Sequence, residues 1–248
     1  MTNQDTVWIV LPAYNEERAL PKLLGRTADV MAGAGLVYKV IVVDDGSADA
    51  TPQVAAVFGS RMPLVLTQHV VNLGLGATIR DGLTEACQLA HPDDVIVSMD
   101  ADNSHSPDLI PEMRRTIRQG HDVVIASRYR PGSVVRGVPM VRRILSRLAG
   151  WLLQVAFPLR GVRDYTCGFR AYRAAALQRA LQHYGPSFFD QQGFQCMVDI
   201  LLKLRRLDLV FTEVPIVLRY DLKETSSKMH VWQTVHRTLR LIVKRRLE

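Results

Sequence analysis

Asp100 and Asp102, separated by the small residue Ala101, follow directly on the apolar run Val95-Ile96-Val97-Ser98-Met99. Two carboxylates at the carboxyl end of a buried strand can hold one divalent cation against a diphosphate, because hard cations take oxygen ligands and complete their shell with water and substrate phosphates. A bare Asp-x-Asp matches by chance in many chains. Its surroundings here are more specific. Val7–Leu11 reads as a strand running into Pro12-Ala13-Tyr14-Asn15-Glu16, and Val40–Val43 as another running into Asp44-Asp45-Gly46-Ser47. Three apolar runs thus end in polar, acidic turns. In an open α/β sheet, ligands bind in the crevice beyond the carboxyl ends of the strands. Carboxylates gathered there repel one another unless a cation or a hydrogen-bonding ligand lies between them, so the pattern points to a pocket for a metal and a nucleotide.

The elements that must position these residues alternate strand and helix, which predicts βαβ units and a mostly parallel sheet. A helix is expected from an Asn15 N-cap toward Met31, stopped by Gly33 and Gly35. Further helices are expected over Thr51–Phe58, Leu75–Ala90, and from Pro107 behind a Ser106 cap to Gln119. Strands are expected over Val37–Val43, near Leu64–Thr67, and over Asp122–Ser127. Beyond them lie helices over Arg173–His183 and Gly193–Leu207 and a strand over Leu209–Leu218. His230–Leu247 reads as a basic amphipathic helix. The expected organisation is a catalytic domain over 1–229, with a nucleotide-binding half (1–127) and an acceptor-binding half (128–229), followed by the helix of 230–248.

The 248 residues, 48% of them hydrophobic, suffice to bury one large core. Cys87, Cys167 and Cys196 show neither disulfide-framework nor metal-ligand spacing, which suits a reducing compartment. The polar Met1–Thr6 lacks a signal-peptide apolar region, and no run reaches the ~18 apolar residues of a membrane span. A cytoplasmic chain, peripheral at the cytoplasmic face of a membrane, is therefore expected.

The formal net charge of +7 conceals an asymmetry. Residues 1–127 carry 9 Lys/Arg against 16 Asp/Glu, whereas 128–179 carry 11 arginines and one acid, Asp164. Acid lies where a cation would bind, and base where an anion would. Two segments look directed at a membrane: Leu148–Leu159, with Trp151 and Phe157 between flanking arginines, and the tail, where Val231, Trp232, Val235, Leu239, Ile242 and Val243 share a helical face opposite Arg237, Arg240 and Lys244–Arg246. Packing of both helices within the domain is the alternative. No nucleic-acid motif accompanies the basic pI of about 9.6, so a nucleic-acid partner is not expected.

Seven motifs then occur in order: Pro12-Ala13-Tyr14-Asn15-Glu16, Asp44-Asp45-Gly46-Ser47, Asn72-Leu73-Gly74-Leu75-Gly76, Asp100-Ala101-Asp102, Ser127-Arg128-Tyr129, Thr166-Cys167-Gly168-Phe169-Arg170 and Ser227-Lys228-Met229. Together they resemble the polyprenyl-phosphate (dolichol-phosphate mannose synthase-like) members of the inverting GT-A glycosyltransferase family 2, over roughly residues 7–229. The resemblance implies a GT-A, Rossmann-like sheet. It also implies that Pro12 and Tyr14 flank a nucleobase, that Glu16 and Asp45 accept hydrogen bonds from base or ribose, and that the Val43 backbone contacts the base. Asp102 is then the direct ligand of Mg2+ or Mn2+, with Asp100 ligating or holding ribose or a metal-bound water.

Arg128 can clamp phosphate bidentately, and Lys228 lies in a loop that could close over the donor. In the family that loop reads Gly-x-Ser-Lys after an arginine. Here Thr225 replaces the glycine and Leu222 the arginine, with Lys223 as the substitute. Arg128, Arg130 and Arg147 are the candidates for an acceptor phosphate; Asp190 or Asp199 would serve as base only if the acceptor were a hydroxyl. His69 and His105 lack metal-ligand spacing and are read as turn or surface residues, and Asp164 is paired with Arg170. The implied reaction moves a hexose, mannose before glucose, from GDP-mannose or UDP-glucose to a polyprenyl phosphate. A family member acting on a soluble sugar or natural product, and an inactive GT-A scaffold, stay open.

Overall fold

A computed structural model describes residues 5–222 and 231–247, with the backbone alone at 141, 142, 231–235 and 247. Strands β1 (Val7–Ala13), β2 (Tyr38–Asp44), β3 (Leu64–Gln68) and β4 (Val95–Ser98) alternate with helices α1 (Leu20–Gly33), α2 (Thr51–Gly59) and α3 (Leu75–Leu89). There follow α4 (Ile110–Arg118), β5 (Val123–Ser127), β6 (Val134–Arg136), α5 (Met140–Ala156), β7 (Arg170–Arg173), α6 (Ala174–Tyr184), α7 (Cys196–Leu204), β8 (Phe211–Pro215), β9 (Val217–Arg219) and α8 (Val231–Leu247).

The main sheet has seven strands in the order β3-β2-β1-β4-β7-β5-β8, and β6 pairs with β9 in a small second sheet. β1, β2, β3 and β4 are mutually parallel, whereas β7 runs antiparallel between β4 and β5. From β1 the chain winds outward through β2 and β3, then returns to β1's other side with β4. That reversal is the topological switch point at which such sheets leave a ligand crevice. The central strands are buried on both faces, as their unbroken Val/Ile runs require: Ile9, Val10, Leu11, Val40, Ile41, Val42, Val95, Ile96 and Val97 all have no exposure.

Several local expectations are corrected. Asn15 does not cap α1, which starts only at Leu20 without a side-chain cap. Asn15 instead takes a left-handed backbone (φ 51°), a conformation its short polar side chain tolerates. Behind Ser106 the chain makes a 3-10 turn over Pro107–Leu109 before α4, and the serine hydroxyl bonds Asp108 instead of the helix. The run Leu209–Leu218 is two strands, because Ile216 carries the chain from the main sheet to the small one. β6 and β7 were not anticipated; Arg170–Arg173 offers too few apolar residues to read as a strand, yet β4 and β5 pair with it on both sides. α7 is shorter than expected, beginning at Cys196 and giving way to a 3-10 turn at Arg205.

Candidate active site

The strand ends are brought level by pairing. Ala13 lies opposite Asp44, the Asp45 N–H donates to the Ala13 carbonyl (2.8 Å), and the His69 N–H donates to the Asp44 carbonyl (2.8 Å). Ser47 Oγ accepts the Asn15 N–H (2.8 Å), and Asn15 Oδ1 accepts the Ala48 N–H (2.9 Å). Asn15 therefore clasps the two turns together. Glu16, buried, donates its N–H to Thr51 Oγ1 (2.8 Å), while Pro12 and Tyr14 are half-buried at the rim and Val43 is buried in β2.

Asp45 is more engaged than its motif suggests. Its Oδ1 accepts the Leu73 N–H (2.8 Å) and faces His69 Nδ1 (2.7 Å), and its Oδ2 accepts the Gly74 N–H (2.9 Å). About one of its four lone-pair directions is left for a ligand. The His69 side chain is largely covered, with Nε2 3.0 Å from Asp81 Oδ2, so the surface reading of this histidine is corrected: it links Asp45 to Asp81 of α3. The loop thus pinned reaches the far segment, where the Gly76 N–H donates to the Gln192 carbonyl (2.9 Å). A Cβ on Gly76 would sit 2.1 Å from the Gln191 carbonyl oxygen, against backbone that cannot give way. Gly76→Ala is therefore expected to cost about 2 kcal/mol or more by forcing these segments apart; thermal unfolding with transfer assays checks it, and an unchanged midpoint would contradict the contact.

Beyond β4, the Asp100 carboxylate is half-exposed and its N–H donates to His105 Nδ1 (3.2 Å). His105 is also buried, its ring 5.3 Å from that of Phe169, which again corrects the surface reading. Ala101 is buried. Asp102 is buried too; its Oδ1 accepts both the N–H (3.0 Å) and the hydroxyl (2.6 Å) of Ser104 across a turn in which Asn103 has φ 61°. One carboxylate oriented by a serine and one reaching the crevice make an all-oxygen donor pair. Mg2+ and Mn2+ are satisfied by one or two carboxylates when phosphates and water supply the rest, so the donor set fits such an ion. Among the described residues no group of three or more His, Cys, Asp or Glu converges. A cavity of about 470 Å3 opens beside this turn, walled by Ser104, His105, Ile216 and Val217.

Arg128, at the end of β5, is held by Asp164: Nε to Oδ2 at 2.8 Å, Nη2 to Oδ1 at 2.7 Å, and the backbone N–H to Oδ2 at 3.1 Å. Nη2 also donates to Thr166 Oγ1 (2.6 Å). Asp164 has no exposure; burial pushes its carboxyl up, but the adjacent guanidinium overrides this and holds it below the ordinary carboxylate range. The turn bearing Asp164 is itself fixed by Glu213 Oε1, which accepts the N–H groups of Arg163 and Asp164 at 2.6 Å each. The expected Asp164–Arg170 pair is thus replaced. Arg170 is fully buried and donates to three backbone carbonyls, those of Tyr165, Cys167 and Met197.

Arg130 and Arg147 are exposed. Tyr129 Oη lies 3.2 Å from Ser146 Oγ, so the Arg128–Arg130 segment and the Ser146–Arg147 turn of α5 meet. Asp190 and Asp199 do not serve the crevice; they bind Lys203 and Arg245 and anchor α8. Lys223, Thr225 and Lys228 lie outside the described residues. Sequence reasoning missed Ser104, Glu213 and both histidines. The one available signal was His69's place immediately after β3, level with the acidic turns.

A switch-point crevice rimmed by an Asp-x-Asp turn at the end of β4, with an arginine at the end of β5 across the antiparallel β7, defines the class of GT-A sugar transferases. The chain belongs to glycosyl transferase family 2, whose domain profile matches residues 8–181, and it is a glycosyltransferase. It is 32% identical over 210 residues to the dolichol-phosphate mannosyltransferase of Pyrococcus furiosus, covering 84% of this chain and 55% of that protein. The present chain thus spans about half the length of that relative. It is 33% identical over 211 residues to the undecaprenyl-phosphate mannosyltransferase of Micrococcus luteus (85% and 82% covered), and 31% over 210 residues to the polyprenol monophosphomannose synthase of Mycolicibacterium smegmatis (84% and 75%). Among solved structures, the glucosyl-3-phosphoglycerate synthase of Mycobacterium tuberculosis in complex with Mn2+ and UDP-glucose has a TM-score of 0.70 at 21% identity, covering 98% of this chain and 79% of that one. That likeness concerns the fold, and the fold is GT-A.

Proposed function

We propose that the protein transfers a hexose, mannose in preference to glucose, from a nucleoside diphosphate sugar to a polyprenyl phosphate with inversion, in a reaction needing Mg2+ or Mn2+. The supporting observation is the Asp100/Asp102 pair at the end of β4, at the switch point and separated from Arg128's strand β5 by the single antiparallel strand β7. The named relatives, all polyprenyl-phosphate mannosyltransferases or synthases, support the acceptor class and the sugar.

When bound, the ion supplies charge to the departing diphosphate. The chain supplies the rest. Asp102, kept in one orientation by Ser104, and Asp100 present fixed oxygens on the donor side. Pro12, Tyr14 and the Val43 backbone hold the base, Glu16 and Asp45 the base or ribose. Arg128, Arg130 and Arg147 receive the acceptor phosphate. Since Asp164 already fixes the plane of the Arg128 guanidinium, little of its freedom is lost on meeting an anion. A phosphate monoester is anionic near neutral pH, so the acceptor needs alignment in line with the breaking bond and no general base. Lys223 and Lys228 are proposed to close over the donor. No helix among the described residues is long and apolar enough to cross a membrane; we place the protein peripherally at the cytoplasmic face, where a prenyl acceptor is reachable.

A panel of nucleotide sugars assayed with a short polyprenyl phosphate, with Mg2+, Mn2+ or chelator, tests this. Mannosyl transfer from GDP-mannose that chelation abolishes is expected. Transfer only to water-soluble acceptors, or undiminished transfer in chelator, would contradict it.

A further inference from the structure

Away from the strand-end crevice, a second cavity of about 350 Å3 opens between α7 and α8. Its lining includes Lys203, Arg205, Arg206, Lys244 and Arg245, with Phe157 at the end of α5 forming an apolar wall. None of Asp100, Asp102 or Arg128 borders it.

The charges around it do not balance. Asp190 and Asp199 are shared among Lys203, Lys244 and Arg245 at 2.6–3.1 Å. Neither Arg205 nor Arg206 has a carboxylate within ion-pair distance among the described residues. Arg205 is not a loose surface arginine. Its Nε donates to the Pro158 carbonyl (3.2 Å) and its guanidinium lies 6.0 Å from the centre of the Phe157 ring, which holds it at the cavity. A half-enclosed cavity with two arginines that meet no carboxylate among the described residues, one of them pre-oriented, suits a phosphate.

The neighbouring surface indicates where that phosphate comes from. Along α5, whose C-terminal end carries Phe157, Met140, Ile144, Leu148, Trp151 and Val155 are all exposed, at the i, i+4, i+8, i+11, i+15 spacing of one helical stripe. Leu239 and Val243 of α8, which packs on α5, are exposed as well. Exposed Arg143 and Arg147 flank the stripe. An apolar stripe bordered by arginine fits the headgroup–acyl boundary of an anionic leaflet.

We propose that the α7–α8 cavity is a phosphate-binding site for the headgroup of an anionic lipid, distinct from the sites of donor and prenyl acceptor. The lipid source rests on the membrane-surface reading above; the phosphate chemistry does not.

The test compares the wild-type chain with Arg205→Gln/Arg206→Gln, without divalent metal. Binding is measured to phosphatidylcholine vesicles, to the same vesicles containing phosphatidylglycerol, and to free glycerol phosphate. Neither vesicle carries polyprenyl phosphate or donor, so a negative result leaves the transfer reading untouched. For a lipid site, affinity for the phosphatidylglycerol vesicles should fall about thirtyfold, as each interfacial arginine contributes roughly a factor of five, and glycerol phosphate binding should be lost. Loss of glycerol phosphate binding with vesicle binding intact would support the site but assign it to a soluble phosphate, overturning the lipid source. Equal binding by both proteins in every arm would overturn the site. Should the double variant unfold earlier through loss of the Pro158 contact, Arg206→Glu, whose parent side chain is exposed and paired with no acid among the described residues, gives the same readout.

Discussion

Asp102→Asn should lower kcat/KM for sugar transfer about a thousandfold or more without unfolding the protein. The asparagine carbonyl can still accept the N–H and hydroxyl of Ser104, so the turn around Asn103 keeps its geometry. What disappears is one of the two negative charges proposed to hold the ion. Charge stabilisation by a metal is worth several kcal/mol at a departing oxygen, and each 1.36 kcal/mol is about a factor of ten in rate. Asp100→Asn should cost less, since that carboxylate is half-exposed and better screened. Steady-state rates against Mn2+ concentration, with melting curves on the same samples, separate a lost ion from a lost fold. Near-normal transfer by Asp102→Asn at low Mn2+ would remove the acid pair from the chemistry.

Asp164→Asn should act on the fold and the site together. Arg128 would retain its charge in a largely buried place while its bidentate partner became neutral. Breaking such a pair from one side costs about 3–5 kcal/mol. For a chain of this size that is a midpoint lower by roughly 6–20 °C. Transfer should also fall, because Arg128 would lose its fixed orientation. The pair has an acid signature as well. The Asp164 carboxyl is held below its ordinary value in the folded protein, chiefly because the Arg128 charge outweighs the opposing effect of burial. Its contribution is therefore complete above the unfolded-state value near 3.9 and is lost as pH falls through the native value. Wild type should lose stability from about pH 5 downward, and Asp164→Asn should lack that part of the acid limb. Parallel acid limbs would show that the pair contributes nothing to stability.

The parallel core was legible because Val7–Leu11, Val40–Val43 and Val95–Val97 are long β-branched runs, each ending in turn residues, and burial on both faces demands such runs. The strand ends that carry chemistry were legible for the same reason. β7 was not. Arg170–Arg173 is a strand because β4 and β5 flank it, which is a tertiary fact with no local pattern. Partners across the chain were equally hidden. Asp164 stands six residues from Arg170 in sequence, yet it pairs with Arg128, 36 residues away, because Glu213 turns the backbone at Arg163 and Asp164 toward the end of β5. His69 and His105 looked idle because neither has a neighbour at ligand spacing; their partners Asp45, Asp81 and Phe169 come from other elements. The tail lies between its two readings. Leu241 is buried and Arg245 grips Asp199, so α8 is anchored to the domain, while Leu239 and Val243 stay exposed.

The most direct measurement is the linked binding of Mn2+ and nucleoside diphosphate to wild type and Asp102→Asn, followed by the paramagnetic signal of the ion in the presence of GDP or UDP. In wild type, each ligand should tighten the other, and the substitution should abolish that linkage while leaving the melting midpoint in place. Binding of nucleotide that is indifferent to Mn2+ in the wild-type protein would contradict an ion seated between the Asp100 and Asp102 carboxylates and the diphosphate.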